Sequence, residues 1–305
     1  MSLYLKYRPT TLAEVKGNKG VLSALENMLS DLDTCPHTFL MTGPTGCGKT
    51  TIARIIADRL GCSEWDFREV NSADFRGIEM VREIRDQAQL KPSEGPCKVW
   101  LIDECHQLSR IAENALLKLL EDTPKHVYFI LCTTDPQSLL ATTKGRCSIF
   151  DVKPLGDLQM KRLLREIVIA EEGTVDAEVY TQIIKDSEGH ARNALQVLDK
   201  VLRVPPEEQL EVAKAAERLQ IESIELCKAL LNNKSWKAIQ PLLKGLKADN
   251  EDPEGIRRHV LGFAAGALLQ REDNLAGLVL EEFVEPFWKS GFPGLVLACY
   301  TVTKN

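Results

Sequence analysis

Residues Gly43-Pro44-Thr45-Gly46-Cys47-Gly48-Lys49-Thr50 match the pattern G-x-x-x-x-G-K-[ST], and no other feature restricts the fold of this chain as tightly. They follow an apolar run, Thr38-Phe39-Leu40-Met41-Thr42, and precede a helical pattern at Lys49–Leu60, so they occupy the turn between a strand and a helix. In such a turn the glycines let backbone N–H groups face inward around phosphate oxygens. Lys49 supplies positive charge, Thr50 offers a hydroxyl to Mg²⁺, and Thr45, Cys47 and Thr51 complete the expected cradle.

The surrounding pattern gives the strand a sheet to belong to. Further apolar runs at Phe67–Asn71, Lys98–Asp103 and Val127–Cys132, with a possible fifth at Ser148–Val152, alternate with helical patterns at Lys49–Leu60, Gly77–Gln89 and Ile111–Glu121. Alternation of this kind predicts an α/β fold with a parallel sheet and crossover helices. After Pro154 the strand signal stops. Asp157–Ala170, Ala177–Ser187 and Ala191–Leu202 read as three short helices, and Pro205-Pro206 reads as a linker. Beyond it, helices are expected at Glu207–Asn232, Lys234–Lys247 and Pro253–Gln270, with a further helical segment to Thr303. The expected division is therefore 1–153, 154–204 and 205–305, within the two or three domains that about 300 residues allow.

The third strand ends in Val99-Trp100-Leu101-Ile102-Asp103-Glu104, which places two carboxylates at the C-terminal edge of the sheet, where open α/β sheets bind ligands. Asp103 is expected to hold the same Mg²⁺ as Thr50, and Glu104 to orient or deprotonate an attacking water. With 44% hydrophobic and 27% charged residues, the composition excludes disorder and fibrous repetition. The longest apolar run, Val260–Leu269, is too short to cross a bilayer, and the first residues lack a signal core, so a cytoplasmic protein is expected. A net charge of −6 argues against general nucleic-acid adhesion but leaves room for a local basic face. Nine scattered cysteines without a C-x-x-C pair are expected to be reduced thiols, and His106, His126, His190 and His259 lack ligand spacing and read as scaffold.

Asp103-Glu104-Cys105-His106, Leu108-Ser109-Arg110, Asn114-Ala115-Leu116-Leu117-Lys118-Leu119-Leu120-Glu121, Thr133-Thr134-Asp135-Pro136 and Gly145-Arg146-Cys147 resemble the bacterial clamp-loader gamma/tau subunit. Lys6-Tyr7-Arg8-Pro9 and Asn71-Ser72-Ala73-Asp74-Phe75-Arg76-Gly77-Ile78 are similar to replication factor C small subunits. The motifs occur in family order over residues 1 to about 200 and identify a member of the AAA+ clamp-loader ATPases. The resemblance implies an AAA+ nucleotide-binding domain, a helical lid and a helical oligomerisation collar. It implies ATP and Mg²⁺ as cofactors, with Tyr7, Arg8 and Pro9 contacting adenine. Thr134 corresponds to a first sensor, Arg192 to a second sensor on the lid, and Arg146 to an arginine supplied to the neighbouring subunit.

Implied partners are a sliding clamp, primer–template DNA and other subunits of a pentameric ring, in a bacterial or phage-infected cytoplasm and with no membrane. Arg76, Arg82 and Arg110 match the DNA-facing pattern, while intrahelical pairing with Glu79, Glu83 and Asp86 is the alternative for the first two. The sequence departs from the bacterial pattern in three ways. It lacks the cysteine-rich zinc module, leaving Cys62 alone; it has Gly145 where the family has serine; and no long tail is expected after the collar. Two other functions remain open: a non-hydrolysing subunit of the same ring, or another AAA+ DNA remodeller such as a branch-migration motor or a helicase loader.

Overall fold

A computed structural model describes residues 2–72, 77–248, 253–270, 273–287 and 290–304. The chain divides into two compact units, Met1–Gln209 and Leu210–Asn305. In the first, the elements run α1 (Leu3–Lys6), α2 (Lys19–Leu29), β1 (Thr38–Thr42), α3 (Lys49–Arg59), β2 (Phe67–Asn71), α4 (Ile78–Ala88) and β3 (Lys98–Asp103). They continue with α5 (Arg110–Glu121), β4 (Val127–Thr133), α6 (Ala141–Lys144), β5 (Ser148–Asp151), α7 (Asp157–Ala170), α8 (Ala177–Ser187) and α9 (Ala191–Val201).

All the strand pairs are parallel, in the order β2-β3-β4-β1-β5. Successive side chains on a strand point to opposite faces, and the central strands are buried on both. Phe39, Met41, Val99, Leu101, Ile130 and Cys132 pack into the core that contains Leu25 and Ile52 of α2 and α3. Leu40, Trp100, Ile102, Phe129 and Leu131 pack on the other side with Val81 and Leu116 of α4 and α5. The middles of these runs are apolar on both faces because neither meets water. The strand order also sets the C-terminal ends of β3, β4 and β1 side by side, which is where the acidic pair, Thr133-Thr134 and the phosphate loop emerge.

The expected elements form, with small shifts at their ends. β4 extends to Thr133 because that residue pairs with Thr42. α5 begins at Arg110 because the Ser109 hydroxyl accepts the Ala112 N–H at 3.2 Å and caps it. Pro206 opens the long helix α10 (Pro206–Leu231) instead of lying outside it; at the first helical position a proline's missing N–H has no partner to lose. All nine cysteines are free thiols.

The second unit continues with α11 (Trp236–Ala248), α12 (Pro253–Gln270), α13 (Asn274–Phe283) and α14 (Gly291–Val302), so the expected final segment is two helices. Leu226, Leu230, Ile239, Leu243, Val260, Phe283 and Leu295 are among its core residues. Near that core lies a buried ion pair. Glu254 accepts from Arg257 Nε at 2.9 Å and from the Phe287 N–H at 3.0 Å, while Arg257 Nη1 donates to the Phe283 and Val284 carbonyls at 3.0 Å each. The pair thereby ties the start of α12 to the end of α13. Hydrogen bonding to Arg257 holds the Glu254 carboxyl below its ordinary pKa, against the opposing effect of burial.

Removing one partner of such a pair strands a buried charge, so Glu254→Ala is expected to cost about 3–5 kcal/mol in a urea unfolding transition of the full chain. A depressed folded-state pKa contributes stability above the unfolded value and loses it as pH falls through the folded value. The wild-type chain should therefore lose stability on acidification below about pH 5, and Glu254→Gln should lose less over the same range. Equal acid sensitivity in the two proteins would refute the pH assignment.

Candidate functional site

The phosphate loop is built by three glycines in backbone conformations that L side chains rarely adopt, with φ of +136° at Gly43, +80° at Gly46 and +101° at Gly48. A Cβ on Gly43 would lie 2.1 Å from the Val152 carbonyl oxygen, so this position admits glycine alone. At Gly48 nothing lies within 4 Å of where a Cβ would stand, which leaves an open concavity at the start of α3. Lys49 is buried, with its ammonium donating to the Gly43 and Pro44 carbonyls at 2.8 and 2.9 Å. The lysine is thus curled around its own loop, with the N–H groups of the turn and the helix end beside it.

β3 delivers the acidic pair to the same place. Thr50 Oγ1 donates to Asp103 Oδ2 at 3.0 Å, and Asp103 Oδ1 accepts the Glu104 N–H at 3.0 Å. Glu104 adopts a left-handed conformation, φ +50°, that turns the chain sharply at the sheet edge. Thr134 Oγ1 donates to Glu104 Oε2 at 3.2 Å, and His106 Nδ1 lies 3.4 Å from the same oxygen and 3.1 Å from Thr133 Oγ1. The histidine that read as scaffold therefore touches the carboxylate most suited to act on water. His106 stands only two residues beyond Glu104, and what sequence spacing does not reveal is its second contact, with Thr133 at the end of β4.

Two concavities meet at the loop. A small one, about 50 Å³, is lined by Thr45, Gly46, Gly48, Lys49, Thr50, Thr51, Asp103, Glu104 and Arg192. A larger one, about 590 Å³, lies between the N-terminal segment and α7 and α9; Tyr7, Arg8, Pro9, Cys47, Leu155, Ile167 and Leu195 are among its walls. Gly46, Gly48, Thr51 and Arg192 line both. Arg8 Nε donates to Thr51 Oγ1 at 3.1 Å, and burial, reinforced by Arg54, lowers the guanidinium's pKa. Tyr7 donates to Glu171 at 2.5 Å and Lys6 pairs with the same carboxylate at 2.7 Å, so the N-terminal segment is fastened to the end of α7. Burial pushes the Cys47 thiol up, in keeping with a packing role.

The remaining predicted residues lie apart. Arg146 follows α6, pairs with Glu121 at the end of α5 and donates to the Thr142 carbonyl at 2.9 Å; it lines neither concavity. Arg82 is exposed on α4 and makes no ion pair among the described residues, whereas Arg85 pairs with Asp86. Arg110 donates to Glu113 at 3.1 Å with most of its side chain in solvent. Arg76 lies outside the described residues. Sequence reasoning missed Glu113, a buried carboxylate that also accepts from the Leu140 N–H at 2.7 Å and Thr143 Oγ1 at 2.9 Å, and so fixes α6 to α5.

A glycine cradle open at Gly48, a lysine at its rim, a threonine hydroxyl on a carboxylate and a second carboxylate beside it form a donor set suited to a polyphosphate and a hard divalent cation. The adjoining mostly apolar cavity has room for a base. These residues fit a nucleoside triphosphate with Mg²⁺.

With its parallel strand order, this site defines a P-loop domain of the AAA+ type. Residues 2–92 match the Rad17 P-loop domain, and residues 65–156 match DNA polymerase III, delta subunit. The DNA polymerase III subunit tau of Escherichia coli is 37% identical over 218 residues, covering 65% of this chain and 34% of that protein. The subunit tau of Bacillus subtilis is 30% identical over 304 residues, covering 91% and 54%. The Thermotoga maritima RuvB Holliday junction branch migration motor superposes with a TM-score of 0.60 at 21% identity, over 74% of this chain and 79% of that one, a likeness of fold. The chain is an AAA+ clamp-loader-like protein. It spans about a third to three fifths of the length of the gamma and tau proteins it matches. No helix among the described residues is long and apolar enough to cross a membrane.

Proposed function

We propose that this chain is an ATP-hydrolysing subunit of a sliding-clamp loader, working in DNA replication on primer–template DNA within a ring of related subunits. The observation that carries the reading is the convergence of Lys49, Thr50, Asp103, Glu104 and Arg192 on one small concavity beside a cavity large enough for a nucleobase. Tau relatives over most of the chain supply the replication context. In this reading 1–153 is the nucleotide-binding domain, 154–204 the lid and 205–305 the collar.

Bound Mg²⁺ would offset charge on the phosphate oxygens, with Thr50 and Asp103 placed to hold it. Lys49 exchanges its loop carbonyls for phosphate oxygens, and the backbone N–H groups of the loop complete the cradle. Glu104, held by Thr134, orients a water and takes its proton as the water oxygen bonds to the γ-phosphorus and the bond to the leaving diphosphate oxygen breaks. Arg192 meets the same phosphates from the lid, so that closure follows occupancy. Arg146 serves a neighbour: it is turned to Glu121 in its own chain, and across an interface it can leave that carboxylate for the neighbour's phosphate. Arg82, together with Arg110 and Arg76, is assigned to the DNA backbone by charge, without an aromatic platform for base reading.

A branch-migration motor shares the fold, but the second unit holds only helices among the described residues and offers no winged DNA-binding module. A non-hydrolysing role would waste a complete acid–hydroxyl set. Primer–template DNA and a cognate clamp added together are expected to stimulate ATP hydrolysis more than either alone; a rate indifferent to both would reject clamp loading.

Two variant experiments separate the roles. Lys49→Ala should weaken ATP binding, whereas Glu104→Gln should preserve binding and nearly abolish turnover, measured by nucleotide titration and single-turnover hydrolysis. Parental hydrolysis by Glu104→Gln would show that the wrong carboxylate has been assigned. For Arg146, the reading in trans predicts complementation. Arg146→Ala and Glu104→Gln should each be nearly inactive alone, since an arginine of this kind contributes about 10³ to 10⁵ in rate. Mixed rings contain interfaces where intact Glu104 meets intact Arg146, so partial activity should return. Mixed rings seen by native mass spectrometry with no recovery of activity would refute the assignment.

A further inference from the structure

Asn18 stands immediately before α2 in a left-handed conformation, φ +48°. An asparagine there ordinarily turns its side chain onto the first N–H groups of its own helix, yet this one makes no such bond. Its amide instead reaches Lys153, 135 residues away: Oδ1 accepts the Lys153 N–H at 2.8 Å and Nδ2 donates to the Lys153 carbonyl at 3.0 Å. Both backbone groups of Lys153 are thus held, much as a neighbouring strand would hold them, at the outer edge of β5.

Lys153 is a sensitive place to hold. On one side of it, Val152 donates its N–H to the Thr42 carbonyl at 2.8 Å, and its own carbonyl abuts Gly43 of the phosphate loop. On the other side the chain enters α7 through Pro154 and Leu155, and the Leu155 N–H donates to the Gly189 carbonyl at 2.9 Å. A Cβ on Gly189 would lie 2.6 Å from the Leu155 carbonyl oxygen, so these segments touch backbone to backbone. Three residues beyond Gly189 stands Arg192, whose Cβ lies 3.5 Å from where a Cβ on Gly46 would be. Gly17 closes on the same junction, with Leu155 Cδ2 2.6 Å from its ideal Cβ position. The contacts make a circuit from the phosphate loop through Val152, Lys153, Leu155 and Gly189 to Arg192, and back to the loop.

We propose that Asn18 is a positioning residue for the nucleotide site: its side-chain amide clasps Lys153 at the junction of sheet and lid helices and thereby sets Arg192 over the phosphate loop. The inference rests on the reading of that loop as a nucleotide site and adds to it the residue that fixes the geometry of the lid.

Asn18→Gly removes the amide while keeping a residue at ease with positive φ, so it tests the side chain and not the backbone. Two neutral hydrogen bonds of ordinary strength predict a loss of about tenfold in affinity for a non-hydrolysable ATP analogue. Because the effect runs through Arg192, the same substitution in an Arg192→Ala background should cost little more, whereas independent effects would multiply. A nucleotide-free readout accompanies these: amide exchange at Lys153 should accelerate in Asn18→Gly while exchange in β1 and β4 is unchanged. Unaltered exchange at Lys153, or a full additional loss of affinity in the Arg192→Ala background, would overturn the clasp. Failure of the wild-type chain to bind the analogue would instead overturn the nucleotide reading, and the exchange measurement would still decide whether Asn18 holds the junction.

Discussion

The seating of Gly43 against Val152 is the constraint on which the rest of the first unit depends. β1 pairs with β5 up to Thr42 and Asp151, and the next residue on each strand meets its counterpart so closely that no Cβ fits between them. The chain can leave β1 there only through a glycine with positive φ, and the loop that follows is aimed by that exit. Lys49 and Thr50 then stand at fixed places relative to β3 because β4 lies between β1 and β3 and holds both. A shift of one residue in the β1–β4 register would turn every side chain to the other face and separate Thr50 from Asp103.

The acidic side of the site is held with equal care. Glu104 occupies a conformation that costs an L residue about 1–2 kcal/mol, so its neighbours must secure it. They do so through the Asp103 carboxylate on its N–H, the Gln107 N–H on its carbonyl at 2.8 Å, and Thr134 with His106 on its side chain. Strained residues tend to stand where chemistry needs an exact placement, and here the strain falls on the carboxylate assigned to water. The basic groups, by contrast, come from long side chains with alternative partners: Lys49 on its own loop, Arg146 on Glu121. In the proposed function each exchanges a protein oxygen for a phosphate oxygen at little cost in charge.

The second unit is stabilised on a different principle. Its helices share an apolar core, and a buried Glu254–Arg257 pair fixes the turn between α13 and α14 by occupying backbone groups that the end of α13 leaves unpaired. Arginine suits this place because its planar fork can serve a carboxylate and two carbonyls at once.

Local rules were enough to read much of this protein from its sequence. The phosphate loop, the apolar strands buried on both faces, the carboxylates closing β3 and most helix limits follow from periodicity and from the conformations open to glycine, which are properties of neighbouring residues. Pro206 shows where such a rule can be misapplied, since a proline that breaks a helix interior also begins one readily. What the sequence could not declare were contacts between distant segments. His106 against Thr133, Glu113 beneath α6, Tyr7 on Glu171 and Asn18 on Lys153 each join residues on separate elements, and an isolated histidine, glutamate, tyrosine or asparagine has the same local signature whether it faces solvent or closes a site. Only the strand order and the packing of helices on the sheet decide which of them meet, because hydrogen bonds select partners by distance and direction in space, and sequence separation measures neither.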